Sequence, residues 1–90
     1  MQTVILIEED NHGVIGVAKD YPSAIDCLVN ENWLDENFEF YDGNYGTTKT
    51  ILEDLGKEWK SIILSWDTEK FNEYFDCLFY LKIEGVYGTE

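Results

Sequence analysis

Arginine is missing from this chain. Its 90 residues carry six lysines and one histidine against 19 Asp and Glu, a formal net charge of -13. Gripping nucleic acid takes clusters of cations to neutralise phosphates, so direct nucleic-acid binding is not expected. The same shortage argues against an anionic membrane surface. No run of about 18 apolar residues occurs, so no membrane span is expected. The start, MQTVILIEEDNH, has no basic n-region and no small-residue cleavage site. It reads as a first strand rather than a signal peptide, and a cytoplasmic location is the expectation.

Metal-binding and nucleophilic residues are equally sparse. Cys27 and Cys77 form no CxxC pair, which removes zinc and dithiol redox motifs. His12 is the only histidine; it follows Glu8, Glu9, Asp10 and Asn11. A structural metal site needs three or four ligands at ordered spacing, and the calcium-loop pattern D-x-[DN]-x-[DN]-G is absent. His12 is therefore read as part of a solvated turn, with no metal and no cofactor. A cysteine nucleophile needs a nearby base and a positive setting. The strongly negative field opposes thiolate formation, so both cysteines are expected to pack as buried free thiols. With 19 acids, some carboxylate pair falls at a usable spacing by chance, so pairing carries no catalytic signal. The chain is read as a non-enzyme.

What is present is core material: 44% hydrophobic residues and 16% aromatic. That is enough for one folded domain over 1–90. TVILIEE (3–9) and VIGVAKD (14–20) flank the turn signal DNHG, which predicts a β-hairpin. Gly16 in the second strand marks a bulge or a close contact. Residues 20–33 have helical periodicity, with Asp20 as cap and Pro22 in the first turn.

NFEFYD (37–42) alternates as a strand, with Phe38 and Phe40 on one side and Glu39 and Tyr41 on the other. TTKTI (47–51) reads either as its partner strand or, through Thr50 and Glu53, as a capping box for the next helix. Leu52, Leu55, Trp59, Ile62, Ile63 and Trp66 share one helical face, which puts both tryptophans in the core. Gly56 interrupts that pattern and places the helix start near itself. Asp67 caps a short helix. CLFYLKIEGVY (77–87) closes as a strand, with Phe79, Leu81 and Ile83 on one face and Tyr80, Lys82 and Glu84 on the other. The expected fold is α+β: a small antiparallel sheet of 4–5 strands with about three helices packed on it, in the order ββαββααβ.

The acids remain. Two groups stand out: Glu8, Glu9 and Asp10 with Asp20, and Asp35, Glu36, Glu39 and Asp42. A magnitude of about 2–8 keeps a small domain soluble, and this chain goes well beyond that. Same-face residues on a strand lie about 6.6–6.8 Å apart. A DNA strand advances about 3.4 Å per phosphate along its axis, and the backbone path between phosphates is longer. Carboxylates on strands and turns therefore either approximate a phosphate row that a basic DNA-binding groove would accept, or form an ordinary charged face that serves solubility. The expected partner-binding residues are Glu8, Glu9, Asp10, Asp35, Glu36, Glu39 and Asp42, with Tyr41 as an aromatic contact. Tyr80 is either a second contact or cover for the far sheet face, and Trp33 either core or an anchor at the rim.

The stretch VILIEEDNHGVIGVAKDYPSAIDCLVNENWLDENFEFYDG, with its leading hairpin, short helix and Trp-Leu-acidic turn, resembles the small acidic proteins of phages and mobile elements of Gram-positive bacteria. FNEYFDCLFYLKIEGVYG resembles their ends. Some proteins of that kind inhibit host defence nucleases as anti-CRISPR or anti-restriction factors, several of them by mimicking DNA. The resemblance implies a non-enzymatic inhibitor, monomeric or homodimeric, bound to a basic nucleic-acid-handling protein such as a host defence nuclease, in the host bacterial cytoplasm. The other expectations are an immunity protein against a basic nuclease toxin, or a structural or assembly protein with an apolar patch.

Overall fold

The computed structural model describes residues 2–42 and 46–87, with side chains for residues 4–40 and 46–84. β1 (Gln2–Glu9) and β2 (Gly13–Ala18) form the expected hairpin around residues 10–12. α1 (Tyr21–Asn30) follows, started by Asp20, whose carboxylate accepts from Ser23 N at 2.9 Å. β3 (Glu39–Asp42) and β4 (Thr47–Thr50) pair antiparallel, Glu39 opposite Thr50 and Phe40 opposite Lys49. Then come α2 (Ile51–Leu55), α3 (Trp59–Leu64), α4 (Thr68–Tyr74, capped by Asp67) and β5 (Phe79–Tyr87).

This is an antiparallel α+β fold, with its strands divided between two sheets. β1 is central in the order β2-β1-β5, and β3-β4 is a separate pair. The competing readings of residues 47–51 both hold. Thr50 ends β4, and its hydroxyl accepts from Glu53 N at 3.1 Å while Glu53 Oε1 accepts from Thr50 N at 3.0 Å. The helical stripe from Leu52 to Trp66 is broken in two. Gly56 adopts φ 86° at the end of α2, a left-handed conformation that stops one helix rather than starting a longer one.

The core lies between the three-stranded sheet and the helices. Ile5 and Ile7 of β1 and Phe79 and Leu81 of β5 meet Ala24, Ile25 and Leu28 of α1, Phe71 of α4 and Phe75 at its C-cap. Burying each such large side chain contributes about 1.5–3 kcal/mol. Trp59 and Trp66 are half-buried against this cluster rather than inside it; Ile63 is the fully buried residue of that stripe. Phe38 and Phe40 do pack inward, Phe38 on Phe75 and Phe79, Phe40 on Tyr74.

Two strand irregularities re-aim side chains. The register slips between Ile7 and Glu8 of β1 in its pairing with β2, and between Val4 and Ile5 of β1 in its pairing with β5, as β-bulges do. Gly16 is a close contact as well: a Cβ there would lie 3.1 Å from Cys27 Sγ and 3.3 Å from Ile7 Cδ1. Ile83 pairs with Ile5 yet is 56% exposed, so the buried face of β5 ends at Leu81. At Leu81 the outer edge of β5 is occupied. The Asn72 side chain donates to Leu81 O at 3.0 Å and accepts from Leu81 N at 2.7 Å, as a neighbouring strand would.

Candidate functional site

Carboxylates here divide by whether local structure uses them. Asp20 and Asp67 cap helices, and hydrogen bonds from Ser23 hold the Asp20 carboxyl below its ordinary range. Asp35 accepts from Asn37 N at 2.8 Å and shapes the turn after α1. Asp54 accepts from the Tyr74 hydroxyl at 2.6 Å and meets Lys49 Nζ at 3.5 Å. Glu9 accepts from Asn11 N at 2.9 Å and meets His12 Nδ1 at 2.6 Å, and the His12 contact is the main cause of its lowered pKa. These acids hold turns and helix ends.

Glu8, Asp10, Glu36 and Glu39 do none of this. Among the described residues their side chains make no hydrogen bond and no ion pair, and the same holds for Asp76 and, on the helices and their caps, for Glu31, Glu58 and Glu69. Each of the eight is at least partly solvent-exposed. Glu8 stands on the helix-free face of β1, opposite Tyr80, and Asp10 N donates to Leu78 O where β1 ends beside β5. The result is a cleft of about 410 Å³ whose lining includes Glu8, Glu9, Asp10, Asp76, Cys77 and Tyr80.

Ring contacts link the 8–12 turn to the 33–39 segment, while Asp20 lies at the far end of the hairpin, capping α1. His12 stands 5.3 Å from Trp33, Trp33 lies 6.4 Å from Phe79, and Phe79 pairs across the sheet with Glu9. Phe38, between Glu36 and Glu39, lies 5.5 Å from the same Phe79 ring. A chain of rings thus joins the 8–12 turn to the 33–39 segment. Trp33 is the half-buried link, packed against the core cluster. Tyr41 and Asp42 are placed on β3 opposite Thr48 and Thr47, but their side chains lie outside the described residues.

Two expectations change. Cys77 is exposed, not buried: it lies in the α4–β5 link at φ 68°, which turns its side chain away from the core. Cys27 is half-buried beside Gly16. Tyr80 is 51% exposed and lines the cleft. Asp76 had no sequence signal, because only the long-range pairing of β1 with β5 carries the α4–β5 link to the hairpin turn. Among the described residues no group of three or more His, Cys, Asp or Glu could hold a metal ion, and no helix is long and apolar enough to cross a membrane.

Comparison with protein-family models, with curated proteins and with solved structures finds no match to this chain.

Proposed function

We propose that this chain is a non-enzymatic inhibitor that binds a basic nucleic-acid-handling protein, such as a defence nuclease, and occludes the groove meant for DNA. The observation that carries the reading is a group of unpaired carboxylates on a chain of net charge -13, with Glu8, Asp10 and Asp76 around one cleft and Glu36 and Glu39 flanking Phe38, whose ring meets Phe79 of the cleft lining. Solubility alone needs far less charge, and unrelieved like charge works against the compact state. Facing a basic groove, the same charges speed encounter and find partners. Glu9 and Asp35 contribute field while their oxygens serve their turns. The same physics fits an immunity protein for a basic nuclease toxin; the two differ only in the partner.

The test is affinity capture on the immobilised chain at low and high salt, with duplex DNA as competitor. A nuclease or DNA-binding protein that is retained at low salt, released by salt and displaced by DNA supports the reading. Glu36→Lys with Glu39→Lys should abolish that capture; unchanged capture would remove these residues from the site. A second reading, an assembly protein, is favoured by the exposed Val14, Val17, Tyr80 and Ile83. Self-association that strengthens at high salt would select it, because salt screens charge and strengthens apolar contact.

A further inference from the structure

The three-stranded sheet has two unlike faces. One is buried under α1 and α4 through Ile5, Ile7, Phe79 and Leu81. On the other, cross-strand pairing sets Val14, Glu8 and Tyr80 in one row and Val17, Leu6 and Lys82 in the next. Val14, Val17 and Tyr80 are 54%, 62% and 51% exposed. Single exposed apolar residues need no explanation, whereas adjoining ones on a flat sheet mark a contact surface. Threonine would make an equally good strand at Val14 and Val17. Strand formation therefore does not account for the apolar choice.

We infer that this open face is the contact centre for a basic protein, with the acid-lined cleft beside Tyr80 as its charged rim. The inference rests on reading the chain as an acidic protein-binding module, and it adds the surface that supplies apolar contact. Area and charge choose the occupant. Three strands about 4.8 Å apart and six residues long span roughly 300 Å². A stable specific interface takes about 800 Å² from each partner.

A second copy would have to find the remainder among like charges, since Glu8 lies in the patch and Glu9, Asp10 and Asp76 line the adjoining cleft. Like charges set face to face cost affinity. Lys82, the cation within the patch, is already met by Glu84 at 3.7 Å. A second copy cannot simply extend the sheet at Leu81 either, because Asn72 holds that edge. A partner segment that alternates cationic and apolar side chains satisfies both needs. Its apolar groups rest on Leu6, Val14 and Val17. Its cation enters the cleft between Glu8, Asp10 and Asp76, against the Tyr80 ring.

The experiment is an amide NMR titration of the full chain at about 0.1 M salt, where exposed charges are screened beyond about 10 Å. Three synthetic peptides of one length are compared: alternating Arg-Leu, alternating Arg-Ser and alternating Glu-Leu. The Arg-Leu peptide should shift the amides of Leu6, Val14, Val17 and Tyr80 and bind about tenfold more tightly than Arg-Ser. Val14→Thr with Val17→Thr should erase that advantage while leaving the circular dichroism spectrum and melting curve unchanged. Equal binding of the two basic peptides, with shifts confined to Glu36 and Glu39, overturns this surface and leaves the acidic-module reading standing. Binding of neither basic peptide overturns both. Glu-Leu binding as tight as Arg-Leu, or shifts of the open face that grow with protein concentration alone, would assign the face to nonspecific apolar contact or to a second copy and overturn the inference.

Discussion

The His12 ring stands edge-on to Trp33, with centroids 5.3 Å apart and planes at 67°. Glu9 holds the same ring through Nδ1. The turn that carries Asp10 is therefore fixed both to its own strand and to the segment leaving α1. This links the turn that follows Glu8 and Glu9 to the segment that carries Asp35 and Glu36, and the charge on the chain has measurable consequences.

Salt should stabilise the protein. At pH 7 the excess of carboxylates repels itself, while pairs such as Lys60–Asp26 at 3.9 Å and Lys70–Glu73 at 3.8 Å are exposed and weak. Raising ionic strength from about 0.01 M to about 0.1 M shortens the Debye length from about 30 Å to about 10 Å. Thermal melts followed by circular dichroism should shift upward over that range. A downward shift would mean that ion pairs outweigh repulsion.

Acid should remove specific local supports. Asp20 and Glu9 titrate below their ordinary values of 3.8 and 4.5, Asp20 through hydrogen bonds from Ser23 and Glu9 chiefly through His12. Between the native and unfolded values the unfolded chain binds more protons. Their contribution is therefore present above the unfolded values and lost as pH falls through the native ones. Asp20→Ala should lower the urea midpoint at pH 7, and the deficit should narrow below about pH 4. Thr50→Ala removes an uncharged cap and should cost about 1 kcal/mol without that narrowing.

Gly16 and Cys27 should be coupled. An alanine Cβ at position 16 would meet Cys27 Sγ at 3.1 Å and Ile7 Cδ1 at 3.3 Å. Gly16→Ala should destabilise by about 1 kcal/mol, the low end of overpacking costs. In a Cys27→Ala background roughly half of that cost should vanish, read as the coupling energy of a double-mutant cycle. Strict additivity would show that the sulfur does not set the limit.

Alkali should find two tyrosines protected. Burial raises the pKa of both, the Asp67 charge adding to it at Tyr21 and Asp54 adding to it at Tyr74. Their stabilising contribution is fully present below the ordinary value of 10.0 and is lost as pH rises from there through the higher native values. In absorbance titrations at an ultraviolet tyrosinate wavelength, Tyr21→Phe and Tyr74→Phe should each remove only signal that appears with unfolding. Tyr74→Phe also removes the bond to Asp54 and should cost about 1 kcal/mol, modest for a carboxylate acceptor because Asp54 faces solvent.

Much of the fold was legible because its signals are local. Asp20, Asp67 and the Thr50–Glu53 box each act on atoms within three residues, so sequence spacing and hydrogen bond are nearly the same statement. The Gly56 break was visible, but not its direction, because a glycine marks a stop or a start equally well until its φ is known. The stripe through Trp59 and Trp66 misled for the same reason. Periodicity assumes one continuous helix, and α2 and α3 are two.

The sequence by itself determined the charge, the hairpin, the helix caps, and the inventory of acids and aromatics. Only the tertiary structure decided which acids are free to act. Glu9 and Asp35 are engaged in their own turns, whereas Glu8 and Asp10 are free and share a cleft with Asp76 from the far side of the chain. It also decided that Tyr80 and Val17 stand in the open and that Cys77 leaves the core. Those outcomes depend on which helix covers which sheet face. That is settled by contacts between segments tens of residues apart, where no local spacing carries the information.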